Sequence, residues 1–304
     1  MNMIETHNLS RVFGRTEAVR DLSLVVPKGS VCALLGPNGA GKSTTIRLLL
    51  NHLAPTSGEA LVMGVDSRSL GPDEFAQIGY VADNQNLPLW MTVRQLLDYC
   101  RPFYPSWDTA LEKTLLARFA LPENRKLRNL SRGMLMQAAL VSSLAYRPKL
   151  LVLDEPFSGL DPVVREDFVR GVLEVSTPGD WTVLVASHEI EEVERLADRV
   201  ALLDGGHLRL NETAEALQAR FRRIEVALER DATPPQSVPS GWLGLECAGS
   251  LVSFVDSRYE RNATERACRE RFPEAAVTAR SMTLREIFVT LARAGFESEK
   301  GIAA

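Results

Sequence analysis

Apolar positions in the first two thirds of the chain fall into short strand-like runs that alternate with helically spaced segments. Residues 4–8 read as a strand, and over 22–26 the apolar Leu22, Leu24 and Val26 recur at alternate positions, the two-residue period of a strand with one buried face. Residues 31–35 are continuously apolar and run into Gly36, as a strand covered on both faces does. Over residues 42–53 the positions of Ile46, Leu49, Leu50 and Leu53 predict a helix. Further buried strands are predicted at 150–153, 182–186 and 200–203, with helices at 162–174 and 189–197 between them. Strand–helix alternation of this kind predicts an α/β fold with a mostly parallel sheet covered on both faces.

Two stretches depart from that pattern. Between about 92 and 146 only helical spacing appears, over 93–103, 109–119 and 134–145, which predicts a helical subdomain inserted into the α/β core. After residue 222 comes a break at 233–241, rich in proline, serine and glycine, which is loop chemistry. Strands are predicted around it at 224–228, 251–255 and 275–278, and helices at 262–272 and 284–294. The expected organisation is a main domain over 1–222 and a small α+β domain over 223–304.

Composition narrows the class. The 304 residues are 45% hydrophobic and 24% charged, ordinary for a globular protein. A formal net charge of −4 argues against a dedicated nucleic-acid binder, which carries a basic excess or stripe. Cys32, Cys100, Cys247 and Cys268 are far apart, so neither a disulfide framework nor a metal knuckle is expected. No secretory leader is visible, and no apolar run approaches the roughly 20 residues of a membrane-spanning helix. A cytoplasmic protein that reaches a membrane only through a partner is the expectation.

The clearest chemistry lies at Gly36-Pro37-Asn38-Gly39-Ala40-Gly41-Lys42-Ser43-Thr44, a P-loop of the form G-x-x-x-x-G-K-[ST]. Its glycines let the backbone turn tightly and aim several N–H groups at phosphate oxygens, and the following helix adds its positive N-terminal end. Lys42 supplies a mobile cation for the β- and γ-phosphates, and the Ser43 hydroxyl is placed to ligate Mg²⁺. The run Leu150-Leu151-Val152-Leu153-Asp154-Glu155 is a buried strand delivering two acids. Asp154 is the expected metal residue, and Glu155 the expected base that orients or deprotonates the attacking water. The same acids could also cap the next helix.

Leu130-Ser131-Arg132-Gly133-Met134, lying between those two motifs, resembles the signature of ABC-transporter nucleotide-binding domains. Ser158-Gly159-Leu160-Asp161 resembles the D-loop of that family, and Ser187-His188-Glu189 its switch-histidine motif. Phe13, some 20 residues before the P-loop, is similar to the aromatic that stacks on adenine. The resemblance covers about residues 3–222. It implies a P-loop ABC ATPase core that uses ATP and Mg²⁺ and two such domains, identical or paralogous, meeting head to tail. Ser131 and Gly133 would hold the γ-phosphate of the facing domain's ATP, with Asp161 among the nucleotide-binding residues and His188 catalytic. It also implies a separate membrane permease, a site on the cytoplasmic face of the membrane and a role in export.

Two sites depart from the family pattern. Arg132 and Met134 stand where the signature has glycine and glutamine. In the stretch 78–86 the position of the family's metal-facing glutamine is Asp83, with Gln85 two residues later. These variant motifs, together with the stretches 89–93 and 103–107, resemble a bacterial export group, and the aromatics there equally suit the core of the helical subdomain. A soluble ABC ATPase acting on nucleic acid or ribosomes is the rival, disfavoured by the single cassette and the lack of a sustained heptad run.

Overall fold

The computed structural model describes residues 2–83, 85–175, 181–188, 190–229, 235, 237–273 and 275–294. The chain divides into two compact units, Met1–Asn211 and Glu212–Ala304, so the division falls earlier than the expected boundary after residue 222. The first unit begins with β1 (Asn2–Phe13), β2 (Thr16–Leu22), β3 (Val25–Pro27), β4 (Val31–Leu35), α1 (Lys42–Leu49), β5 (Ser57–Val62) and β6 (Val65–Asp66). It continues through α2 (Pro72–Phe75), β7 (Ile78–Ala82), α3 (Val93–Cys100), α4 (Thr109–Arg118), α5 (Arg132–Leu144) and β8 (Leu150–Asp154). Then come α6 (Pro162–Val175), β9 (Thr182–Ser187), α7 (Ile190–Val193), β10 (Arg199–Asp204) and β11 (His207–Thr213).

A six-stranded sheet in the order β11-β10-β4-β9-β8-β7 forms the centre, with β10, β4, β9, β8 and β7 mutually parallel. Every residue of β8 and β9 is buried, which is why both read as unbroken apolar runs. A second, antiparallel sheet runs β2-β1-β5-β6, with β3 also paired to β1. One core joins the two layers, with Ile4, Leu22 and Val62 of the antiparallel sheet packing with Ile46 and Leu48 of α1 and with Leu34, Val152 and Leu184 of the centre. Among the described residues no helix is long and apolar enough to cross a membrane.

Several expected elements change. The run 22–26 closes one strand and opens the next, because β2 ends at Leu22 and β3 starts at Val25. The helix expected over 42–53 stops at Leu49, and Asn51 then takes a positive φ of 56°. Of the helix expected over 189–197 only Ile190–Val193 forms, and Glu189 lies outside the described residues. Strands β5 and β7 are additional. The first opens on exposed Ser57-Gly58-Glu59, and the second carries Gly79 packed against the Ser143 carbonyl, so neither shows a clean apolar period.

The helical segment is organised around one carboxylate. Asp108 caps α4 by accepting from Ala110 and Leu111, and one turn on Glu112 is fully buried. Its carboxylate accepts from Arg94 Nη1 at 2.6 Å, Arg101 Nη2 at 2.9 Å and Trp107 Nε1 at 2.7 Å. Burial pushes the carboxyl up, but those donors outweigh it and hold Glu112 below the usual range. The aromatics divide into two sets. Tyr104 stacks on Tyr146 at 3.7 Å with Trp107 beside them, and the Tyr146 hydroxyl donates to the Ile78 carbonyl of β7. Trp90, Tyr99 and Phe103 instead stand 66%, 57% and 63% exposed.

The second unit contains α8 (Ala214–Arg220), β12 (Arg222–Ala227), β13 (Trp242–Ala248), β14 (Leu251–Asp256), α9 (Arg261–Arg271), β15 (Ala276–Ser281) and α10 (Leu284–Ala294). Its antiparallel sheet runs β13-β14-β12-β15 over a core of Ile224, Val226, Trp242, Phe254, Cys268 and Phe272. Strand β13 is an addition to the expected elements, and residues 233, 234 and 236 of the expected linker at 233–241 lie outside the described residues.

Removing the carboxylate with Glu112→Ala leaves two guanidinium groups and an indole N–H without their shared acceptor. We expect a loss of about 2–3 kcal/mol, short of a fully buried pair because both arginines are part-exposed. Since the folded carboxyl titrates below its unfolded value, its contribution is present above about pH 4.5 and fades as the pH falls further. Urea denaturation at pH 7 and pH 4 checks both points, and the penalty should shrink at the lower pH.

Candidate nucleotide site

Parallel strands end on the same side of a sheet, so the residues just past their ends are brought together. Four of these strands matter here. β4 leads into the glycine loop, β9 into His188, β8 into Glu155 and β7 into Asp83, and the four are consecutive in the sheet. Asn38, Ser43, Asp83, Gln85, Asp154, Glu155, Ser158 and His188 all line one cleft of about 520 Å³ there.

The loop after β4 is held from behind by backbone. A side chain at Gly36 would come within 2.2 Å of the Leu203 carbonyl, and one at Gly41 within 2.4 Å of the Ala18 carbonyl. Both positions therefore require glycine, and Gly41 also sits at φ 105°. The turn Gly205-Gly206, with φ of 53° and 85°, joins β10 to β11 and donates from Gly206 N to Ala40 O. Its Gly206 carbonyl in turn accepts from Arg20 of β2. Lys42 opens α1 and is 5% exposed, donating to the Gly36 carbonyl at 2.8 Å and the Pro37 carbonyl at 3.2 Å. It also pairs with Glu155 Oε1 at 3.2 Å.

The carboxylates stand opposite. Ser43 Oγ donates to Asp154 Oδ1 at 2.9 Å, joining two of the three expected metal residues, with Asp83 the third. Burial pushes Asp154 up and the adjacent Glu155 charge adds to it, against the Ser43 bond, Arg47 and Lys42. Glu155 takes a φ of 53°, a strained conformation for a non-glycine residue, just before Pro156. Its Oε2 lies 2.7 Å from His188 Nδ1, so Glu155 bridges Lys42 and His188. Among the described residues no three acid, histidine or cysteine side chains cluster to hold a metal unaided. One hydroxyl and one carboxylate instead suit Mg²⁺, which keeps waters and takes its other oxygens from nucleotide phosphates. On the same wall the Gln85 Oε1 atom is buried without a hydrogen-bond partner, an acceptor available to such a metal's water.

The other expected residues lie elsewhere in the unit. Phe13 ends β1, is 43% exposed and has the Arg11 guanidinium 4.5 Å above its ring. Ser131 caps α5 by accepting from Met134 N, and Gly133 is packed so tightly on Val164 that a side chain would meet it at 2.7 Å. Asp161 accepts from Val163 and Val164 at the start of α6, so its carboxylate is engaged in capping. None of these four lines the cleft. Arg47, His52 and Tyr80 do, and carried no motif to announce them. Arg47 follows from α1 itself, one turn beyond Ser43.

A parallel sheet with a glycine loop opening a helix, and acids at the end of a neighbouring strand, defines a P-loop nucleotide-binding cassette. Residues 19–158 match the model of the ABC transporter family. The chain is 33% identical over 240 residues to the ABC transporter ATP-binding protein YtrB of Bacillus subtilis, covering 78% of this chain and 82% of that one. Identity is 37% over 208 residues to the Nod factor export ATP-binding protein I of Rhizobium leguminosarum, covering 67% of each. It is 38% over 213 residues to the daunorubicin/doxorubicin resistance ATP-binding protein DrrA of Streptomyces peucetius, covering 67% of this chain and 63% of that one. A solved ATP-binding subunit of an ABC transporter superposes with a TM-score of 0.65 at 26% identity, over 71% of this chain and 92% of that one. The chain belongs to the ATP-binding subunits of ABC transporters, and membership of this ATPase family implies ATP hydrolysis.

The exposure of Phe13 fits a stacking surface better than a core position. Phe13→Ala should weaken ATP binding by about 1–3 kcal/mol, the worth of a base–aromatic stack, and leave the melting temperature within a degree or two. Fluorescent-nucleotide titration beside a thermal melt separates the two readings.

Proposed function

We propose that the cleft binds Mg-ATP and hydrolyses it with Glu155 as the base, and that the chain powers a separate membrane permease, working in export. The observation that carries this reading is the convergence of Lys42, Ser43, Asp154, Glu155 and His188 at the ends of adjacent parallel strands. An incoming triphosphate replaces the Gly36 and Pro37 carbonyls and Glu155 around the Lys42 ammonium, so that Lys42 turns from the loop to the β- and γ-phosphates. Glu155 is thereby released to orient and deprotonate water, while His188 fixes its carboxylate and contacts the γ-phosphate. Ser43 and Asp154 would hold Mg²⁺, with Asp83 beside them on the wall, and the ion would neutralise developing charge on the phosphate oxygens.

The names of two relatives, one an export protein and one a drug-resistance protein, support export over uptake. Two cassettes, identical or paralogous, would close head to tail around ATP. Ser131 and the backbone at Gly133 would offer the start of α5 to the facing γ-phosphate, and Asp161 would hold the turn before α6 in register. The permease contact falls on Trp90, Tyr99 and Phe103, three large side chains left exposed on the helical segment and the loop before it. In this reading the chain would work on the cytoplasmic face of the membrane, with no nucleic-acid partner.

Lys42→Ala should abolish most Mg-ATP binding with the fold intact. Glu155→Gln should retain binding while turnover falls by about 10²–10⁴ and an ATP-bound dimer accumulates in gel filtration. His188→Ala should also slow turnover with binding retained. Undiminished hydrolysis in Glu155→Gln would remove Glu155 from the role of base. Trp90→Ser with Phe103→Ser should leave basal hydrolysis unchanged while reducing recovery of the chain with permease-containing membranes.

A further inference from the structure

The two departures from the family pattern meet in space. Arg132 Nε donates to Asp83 Oδ1 at 3.0 Å, and Nη2 of the same guanidinium donates to the same oxygen. The residues are 49 positions apart, one at the end of β7 and the other the first residue of α5. Nη2 also reaches Ser158 Oγ at 3.5 Å, and the guanidinium lies over Gly159, where a side chain would strike Nη1 at 2.6 Å. Gly159 takes a φ of 68°, so the turn after β8 presents bare backbone to the arginine. One side chain therefore ties three segments together: the end of β7, the start of α5 and the turn at 158–159.

Asp83 has a second claim on it. Its side chain is only 18% exposed and lines the cleft beside Asp154 and Glu155, so three carboxylates share one wall. We propose that Arg132 is a positioning residue that competes for the Asp83 carboxylate. With the cleft empty of Mg-ATP the arginine holds Asp83, and with it the start of α5, against the turn at 158–159. When Mg-ATP occupies the cleft, Asp83 turns toward the metal's water shell and Arg132 is released. The start of α5 is then free of that turn. Such an exchange is feasible because Arg132 is 53% exposed, and an ion pair that open to solvent is weak enough to yield to a divalent cation. The pair thus makes the hold on α5 depend on the metal, and this inference rests on the cleft being the Mg-ATP site.

The test is a Mg²⁺ titration of nucleotide binding in the full chain carrying Glu155→Gln, so that ATP is not consumed. Fluorescent ATP binding reports the half-saturating Mg²⁺ concentration. Arg132→Ala should lower that concentration by up to about fivefold, the worth of an exposed ion pair. Asp83→Asn should raise it about tenfold, as loss of a metal's outer partner does. Combining the two should reproduce Asp83→Asn alone, because the effect of Arg132 passes through Asp83. Arg132→Gln, which keeps length and loses charge, should repeat the alanine result and serves in its place if alanine disturbs folding. An unchanged Mg²⁺ requirement in both Arg132 variants, or simple additivity in the double variant, overturns the proposal. Asp154→Asn separates the competition from the metal site beneath it. If it shifts the Mg²⁺ requirement while the Arg132 variants do not, only the competition is wrong. If Asp154→Asn itself shifts nothing, the metal site and the competition both fail.

Discussion

Because β4, β9, β8 and β7 run parallel and side by side, the residues just beyond their ends are each about one strand spacing, near 5 Å, from the next. That spacing is what a triphosphate and its metal need from a protein: a cation, a hydroxyl and several carboxyl oxygens within a few ångströms. No single loop could supply it. Lys42 comes from the helix start after the loop that follows the first strand, His188 from the end of the second, Glu155 from the third and Asp83 from the fourth. The buried Val, Leu and Ala residues of β8 and β9 are therefore as much a part of the chemistry as the acids they carry, since a slip of one strand would separate the pairs.

Charge balance in the cleft follows from the same arrangement. Lys42 is almost fully buried and is satisfied by two loop carbonyls and Glu155, so the cation carries no uncompensated desolvation. Asp154, pushed up by burial, leans on Ser43, and Asp83 leans on Arg132. Lys42, Ser43, Asp83, Asp154 and Glu155 thus each have a protein partner within the cleft. The strained φ of Glu155 fits this picture, since it aims the carboxylate between two partners instead of along the strand.

The fold class and the motifs were more legible along the chain than the bounds of the individual elements. Gly36 to Thr44 and the Asp154–Glu155 pair are local patterns, so they could be read from adjacent residues. Strand β7 hid behind Gly79, and β5 behind a polar start, because their burial comes from neighbours instead of their own pattern. The aromatics 103–107 look alike in sequence, and only packing separates Tyr104 and Trp107, half-buried beside Tyr146, from exposed Phe103. Asp83 and Arg132 each stood out as a departure, but nothing in a linear reading joins positions so distant. Gly133 and Asp161 show the reverse: each has a plain structural task, close packing on Val164 or capping of α6, beside any role toward nucleotide.

The turn at Gly205-Gly206 carries a practical consequence. A two-glycine hairpin tip is where a peptide tag or a fluorescent reporter would ordinarily be spliced in, since such turns tolerate added length. Here only Gly205 faces solvent, while Gly206 is buried with its N–H bonded to Ala40 in the glycine loop and its carbonyl bonded to β2. A graft at that tip would tug on the phosphate cradle from behind, and the labelled protein would misrepresent the affinity it was made to measure.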